Sequence, residues 1–209
     1  NYALALTMLD AEIQHDSTNP VLLYNFAICC SRTENHKKCI SVLEELLKTS
    51  EKYIEIDSIY KLIIYSYIKL EQLDNALKIT DERLKINVGD VKLLSFRAHI
   101  IEKQGKIQDA IQIHKNILKI KSDYKNSLNS IAYLTTLLPS PTVDEVNEAI
   151  DCIKLALSQD KNNPAYLDTF GVILKMKGNK EQAKQALQKA ISLSPSANSE
   201  ILNHLQDLL

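Results

Sequence analysis

Apolar residues recur along this chain at helical spacing, in stripes that come in pairs joined by short polar turns. The clearest pair lies near the end. Leu167, Phe170 and Leu174 form one stripe, Gly178 and Asn179 supply the turn, and Ala183, Leu187 and Ala190 form the second stripe. The pattern predicts two amphipathic helices folded back on each other, neither of which can bury its stripe alone. Small residues mark where such helices meet: Gly171 with Ala183, and upstream Ala132 with Ala149, Ala98 with Ala110, Ile64 with Ala76, and Ala27 with Cys39.

The first members of these pairs stand at positions 27, 64, 98, 132 and 171, so the successive intervals are 37, 34, 34 and 39. The longer intervals coincide with a long connection, KTSEKYIEID, and with an insertion at LLPSPTVDEV. Pro139 and Pro141 in that insertion forbid helix continuation. Beneath the insertions the two equal intervals set the period, and a fixed period of this size predicts stacked helical repeats. Gly171 sits inside a helix, at a cost of about 1 kcal/mol relative to alanine. Its repeated register predicts a packing role: it gives up helix propensity so that the neighbouring helix can approach.

The period divides the chain into a single array. Residues 1–17 are the second helix of a half repeat, with Ala5 and Leu9 at its small and large positions. Five full pairs follow at 18–52, 53–89, 90–123, 124–162 (with the insertion at 138–143) and 163–196, and a capping helix closes the array at 197–209. Caps are expected where an array would otherwise end on an apolar face.

Composition narrows the function classes. Hydrophobic residues make up 45% of the chain, and 25 basic residues face 26 acidic ones. That balance argues against a nucleic-acid partner, as does the lack of aromatic residues interleaved with the lysine-rich runs ENHKKC and KGNKEQAKQALQKA. No apolar run is long enough for membrane insertion. Phosphate-cradling glycine loops are missing, and no catalytic constellation can be drawn by spacing, so neither an enzyme nor a cofactor is expected. Cys29, Cys30, His36 and Cys39 have the chemistry to bind zinc. Cys30 and Cys39, however, fall on packing positions, where cysteine acts as a compact apolar residue, so no metal is expected. The cysteines read as free thiols in a reducing compartment, which suggests a cytoplasmic location. The first residue is Asn1 rather than Met, which suggests a piece of a longer protein and leaves a periplasmic location open.

The last repeat resembles the tetratricopeptide repeat family: Leu167, Phe170, Gly171, Leu174, Ala183, Leu187, Ala190 and Pro195 occupy its signature positions, with Leu167 in place of the usual Trp. The unit around Leu94, Ala98, Ile101, Gly105 and Ala110 follows, although Arg97 departs from an apolar position. The consecutive segments NSLNSIAYLTTLL and AYLDTFGVILKMKG also resemble bacterial envelope and secretion-associated members. The resemblance implies an all-α, right-handed superhelical solenoid of antiparallel helix pairs, whose first helices line a concave face.

On that face the expected positions are Tyr24, Ile28 and Arg32; Lys61, Tyr65 and Lys69; Lys92, Ser95, His99 and Lys103; Asn129 and Tyr133; and Asp168, with Val172 and Met176. Tyrosines beside Arg32, Lys61, Lys69 and Lys103 suit an acidic peptide or protein segment. Family members that bind chaperones grip a terminal carboxylate with Lys and Asn one helical turn apart. Here Tyr65 follows Lys61 at that spacing, so this clamp is not expected. The reading is a non-catalytic protein-interaction scaffold. The alternatives are homotypic assembly through NYALALTMLDAEIQ, giving a homo-oligomer, and an accessory region of a larger enzyme or bacterial envelope export protein.

Overall fold

The computed structural model of the chain describes residues 1–16, 18–49, 56–194 and 199–208. Residues 50–55 of the expected long connection, Pro195, and the expected start of the capping helix at 197 lie outside them. Among the described residues there are twelve α-helices and no strand. They divide into two compact units, Asn1–Ile100 and Ile101–Leu209.

The first unit holds α1 (Tyr2–His15), α2 (Pro20–Arg32), α3 (His36–Thr49), α4 (Ile56–Lys69), α5 (Leu73–Ile86) and most of α6 (Val91–Lys103). Its helices α1 to α4 each pack on the next, α4 packs on α5, and α2 also touches α4. Leu23, Phe26, Leu43, Leu46, Ile59 and Ile63 form one cluster of buried side chains. Ile64, Ala76, Leu93, Phe96 and Ile100 form another.

The second unit holds the end of α6, then α7 (Ile107–Ile120), α8 (Lys125–Thr136), α9 (Val143–Gln159), α10 (Pro164–Met176), α11 (Lys180–Leu193) and α12 (Ser199–Gln206). Consecutive helices from α7 to α12 pack together, and α8 touches α10 as α10 touches α12. The terminal helix therefore sits where a further first helix would. Its Ile201 is buried with Leu167, Leu187 and Ala190.

The recurring positions, small in each case but Ile64, lie in the buried layer between helices. Ala27, Cys39, Ile64, Ala76, Ala98, Ala110, Ala132, Ala149 and Ala183 are all 0% exposed. At Gly171 a β-carbon would lie 2.6 Å from Leu187 Cγ, 2.8 Å from Leu187 Cδ2 and 3.2 Å from the Ala183 carbonyl oxygen. Only glycine fits at that contact.

Four of the turns within helix pairs share one geometry. Glu34, Glu71, Gly105 and Gly178 have φ of 63°, 57°, 79° and 85°. The next residue's N–H then reaches back to a helical carbonyl, Asn35 to Cys30 at 2.8 Å and Asn179 to Leu174 at 2.9 Å. This left-handed closure is natural for glycine, whereas each glutamate carries about 1–2 kcal/mol of strain. The α8–α9 pair departs from the pattern. Its loop spans 137–142, and α9 starts further upstream of Ala149 than α11 does of Ala183. The insertion thus lengthens both loop and helix, with Val143 already helical. A capping box between Thr142 and Glu145 fixes the new start.

Between pairs, Asn19–Pro20 and Asn163–Pro164 begin α2 and α10 alike. Each Asn side chain accepts from two backbone N–H groups, and each donates to an Asp three residues earlier, Asp16 or Asp160, at 3.2 Å. Arg97, the departure from apolar character, does not disturb its register. Its Nε donates to Asp81 at 2.9 Å at the half-exposed edge of α6, while Ala98 stays buried.

Candidate functional site

In the first unit the first helices α2, α4 and α6 enclose a cavity of about 470 Å³. Six of the expected groove residues line it: Tyr24, Ile28, Arg32, Lys61, Tyr65 and Lys92. Helical spacing explains the convergence, since Tyr24, Ile28 and Arg32 stand at four-residue steps on α2, as do Lys61 and Tyr65 on α4. Leu62 and Phe96 complete the apolar wall. They were missed in the sequence, although Phe96 lies four residues beyond Lys92, on the face assigned there to Ser95.

The cations differ in availability. Lys61 Nζ lies 2.6 Å from Asp90 Oδ2, and both side chains are largely buried. The other Asp90 oxygen accepts from the Lys92 and Leu93 N–H groups at 2.9 and 3.0 Å, capping α6. Burial pushes the Asp90 carboxyl up, but the Lys61 hydrogen bond and charge and the two backbone donors outweigh it and hold the group below its ordinary range. Lys61 is therefore a structural cation, its charge already neutralised. Arg32, Lys69 and Lys92 make no ion pair with any described residue. They lie near aromatic rings instead: Arg32 5.8 Å from Tyr2, Lys69 5.6 Å from Tyr65 and Lys92 4.8 Å from Phe96.

A second cavity of about 440 Å³ adjoins the first, sharing Ser31, Arg32 and Tyr65 and adding Glu34, His36, Lys69 and Leu70. Lys69 lines this one rather than the first.

In the second unit, Asn129, Tyr133 and Asp168 line a cavity of about 400 Å³ together with Thr169, Glu200 and Ile201. Asp168 is already engaged: its Oδ1 lies 2.8 Å from His204 Nδ1 on α12. Burial drives the Asp168 carboxyl up; His204 pulls the other way and Glu200 adds to the rise. Tyr133 is also raised, by burial first and then by the charges of Glu102, Glu200 and Asp168. Asp168 and Glu200 are the charged residues that line this pocket. Ser95, His99 and Lys103 line none of the three cavities, and the Ser95 hydroxyl is turned to the Val91 carbonyl at 2.7 Å.

The cysteines lie in the packing layer. Cys29, Cys30 and Cys39 are buried, all four cysteines are free, and Ser66 Oγ donates to Cys39 Sγ at 3.4 Å. Burial pushes the Cys30 thiol up to about 11 and raises Cys39 as well, so both stay protonated. Among the described residues no three His, Cys, Asp or Glu side chains converge to hold a metal, and no helix is long and apolar enough to cross a membrane. His114 bonds to the buried Ser127 at 3.0 Å across α7 and α8.

Residues 166–196 match the sequence model of the tetratricopeptide repeat. Among curated proteins, the chain is 25% identical over 185 residues to the peroxisomal targeting signal receptor of Saccharomyces cerevisiae, covering 79% of this chain and 27% of that protein. It is 31% identical over 107 residues to the probable UDP-N-acetylglucosamine–peptide N-acetylglucosaminyltransferase SPINDLY of Hordeum vulgare, covering 50% of this chain and 11% of that protein. The chain thus spans about a quarter or less of the length of these relatives.

Among solved structures, the Cut9–Hcn1 hetero-tetramer of the APC/C superposes over 100% of this chain and 40% of its own, with a TM-score of 0.81 at 14% identity. Yeast Tom70 covers 97% of this chain and 42% of its own, with a TM-score of 0.76 at 14% identity. YrrB, described as a tetratricopeptide-repeat protein with an unusual peptide-binding site, covers 95% and 97%, with a TM-score of 0.62 at 15% identity. These likenesses establish an all-α helical-repeat fold. Residues 166–196 therefore carry a tetratricopeptide repeat within this all-α helical-repeat fold.

Proposed function

We propose that the 470 Å³ cavity of the first unit is a docking site for a segment of a partner protein carrying apolar and acidic side chains, and that the role is non-catalytic. One observation carries this reading. Tyr24, Ile28, Leu62 and Phe96 form an apolar wall flanked by Arg32 and Lys92, two cations without a carboxylate partner among the described residues. Apolar contact supplies affinity at such a site, and charge supplies orientation and selectivity. A peptide-display selection against the intact chain tests it. Enriched peptides should combine Asp or Glu with large apolar residues. Arg32→Glu together with Lys92→Glu should weaken them by about tenfold or more, taking one exposed charge reversal at about 1 kcal/mol, with helical circular dichroism retained. Peptides that bind the double variant as well as the parent would remove the cavity from the proposal. A reducing, cytoplasmic setting belongs to the same proposal and rests on the free thiols.

A second reading has its own observation. Leu4 and Met8 are 61% and 63% exposed, one helical turn apart on α1, while Leu6, Leu9 and Ile13 pack inward. A second copy of the chain docking there would bury them. Homotypic assembly then predicts a molar mass that rises with concentration in light scattering and returns to the monomer value in Leu4→Glu with Met8→Lys. A constant monomer mass would exclude it.

A further inference from the structure

The cavity of about 440 Å³ beside the docking site has a chemistry of its own. It lies where the C-terminal ends of α2 and α4 meet the start of α3, and it presents Arg32, Lys69 and His36. His36, the first residue of α3, is 7% exposed and meets the Tyr65 ring edge-on at 5.9 Å and 74°. Lys69 lies over the same ring. The His36 Nδ1 is buried without a hydrogen-bond partner, a condition that native structures rarely leave unexplained. The charges bordering the cavity are Arg32 and Lys69 against Glu34, a net of +1 with neutral His36 and +2 with its imidazolium.

We propose that this cavity is a subsite for a carboxylate of the docked segment, gripped by Arg32 and Lys69 against the Tyr65 ring, with His36 coupling occupancy to protonation. The proposal rests on the docking reading above, because the shared wall of Ser31, Arg32 and Tyr65 makes the two cavities continuous. A guanidinium and an ammonium flanking an aromatic face suit a carboxylate, which takes two or more charge-assisted hydrogen bonds. Burial holds the His36 imidazole below its ordinary range, Lys69 lowers it further and Glu34 opposes them. A carboxylate seated between the cations screens Lys69 and adds negative charge, so occupancy raises the His36 pKa and binding tightens as pH falls.

The test uses the full chain and small probes: acetyl-glutamate amide, its glutamine counterpart, and acetylglycine, which carries only a terminal carboxylate. The His36 ring is followed by heteronuclear NMR as pH is varied. Acetyl-glutamate amide should raise the His36 pKa by about one unit, equivalent to about tenfold preference for the imidazolium form, and the glutamine probe should not. A response to acetylglycine alone would overturn the assignment to an acidic side chain. Lys69→Gln should weaken the glutamate probe by about tenfold. An unmoved His36, or a response that survives Lys69→Gln, overturns the subsite. Because these probes do not need the apolar wall, failure here with display-selected peptides still bound through Arg32 and Lys92 leaves the docking site standing. Loss of peptide binding alone points to the docking reading.

Discussion

Gly171→Ala is expected to destabilise the second unit, although alanine is the better helix former. Helix propensity favours the substitution by about 1 kcal/mol. Against this, the added β-carbon would stand 2.6 Å from Leu187 Cγ. That atom is the branch point of a fully buried side chain rather than a mobile tip, and the Ala183 carbonyl closes the other side at 3.2 Å. Overpacking against a buried branch point on one side and backbone on the other falls in the upper part of the usual range, about 2–3 kcal/mol, so the net loss is about 1–2 kcal/mol. Urea denaturation followed by circular dichroism measures it. A second substitution isolates the cause. Leu187→Ala alone leaves a cavity and costs about 2–5 kcal/mol, but it also removes the atoms that meet the new methyl group. The double variant should therefore be less unstable than the sum of the two singles, by about 1 kcal/mol or more. Additive losses, or a Gly171→Ala variant as stable as the parent, would mean that the contact does not set the glycine.

Asp90→Ala is expected to cost about 1–3 kcal/mol in the first unit, because one carboxylate both caps α6 and pairs with Lys61. Asp90→Asn separates the two roles: its amide oxygen can still accept from the Lys92 and Leu93 N–H groups, but it has no charge for Lys61. The asparagine variant should lose less than the alanine variant. The acid also predicts a pH dependence with a definite sign. Its folded-state pKa lies below the ordinary 3.8, so its contribution is present in full above that value and is lost as pH falls through the folded value. Parent and Asp90→Asn stabilities should converge only once pH has fallen below the folded-state value, where both lack the charge. A difference that stays constant down to acid would show the ion pair to be inert. The pairing also explains why Lys61→Glu is a poor probe of partner binding. It would place a carboxylate against Asp90 and disturb the helix start, whereas Arg32 and Lys92 can be reversed without breaking an internal ion pair.

How far the site could be read from the residues differs from place to place. Tyr24, Ile28, Arg32, Lys61, Tyr65 and Lys92 were identifiable as one surface because each helix repeats its direction every turn and first helices recur with the period. The sign and freedom of the charges were not. Lys61 on α4 and Asp90 at the start of α6 have the whole of α5 between them, and α11 lies between Asp168 and His204. No local pattern links two side chains across an intervening helix. His36 was considered as a zinc ligand on the strength of nearby cysteines, yet its ring faces Tyr65 and Lys69, on a helix reached only through the packing of α3 against α4.

Periodicity and residue size are properties of the chain itself, which is why the helix pairs and the place of Gly171 are legible in the sequence alone. A repeat of fixed length with small side chains at two positions admits few arrangements, since each helix must bury a stripe that only its neighbours can cover. Folding was needed to show which cations are neutralised, that the terminal helix bonds to Asp168, and that two adjoining cavities open in the first unit. These features depend on side chains from separate helices meeting within a few ångströms. Electrostatic pairing and cavity shape are decided at that distance, and the linear order of residues does not encode it.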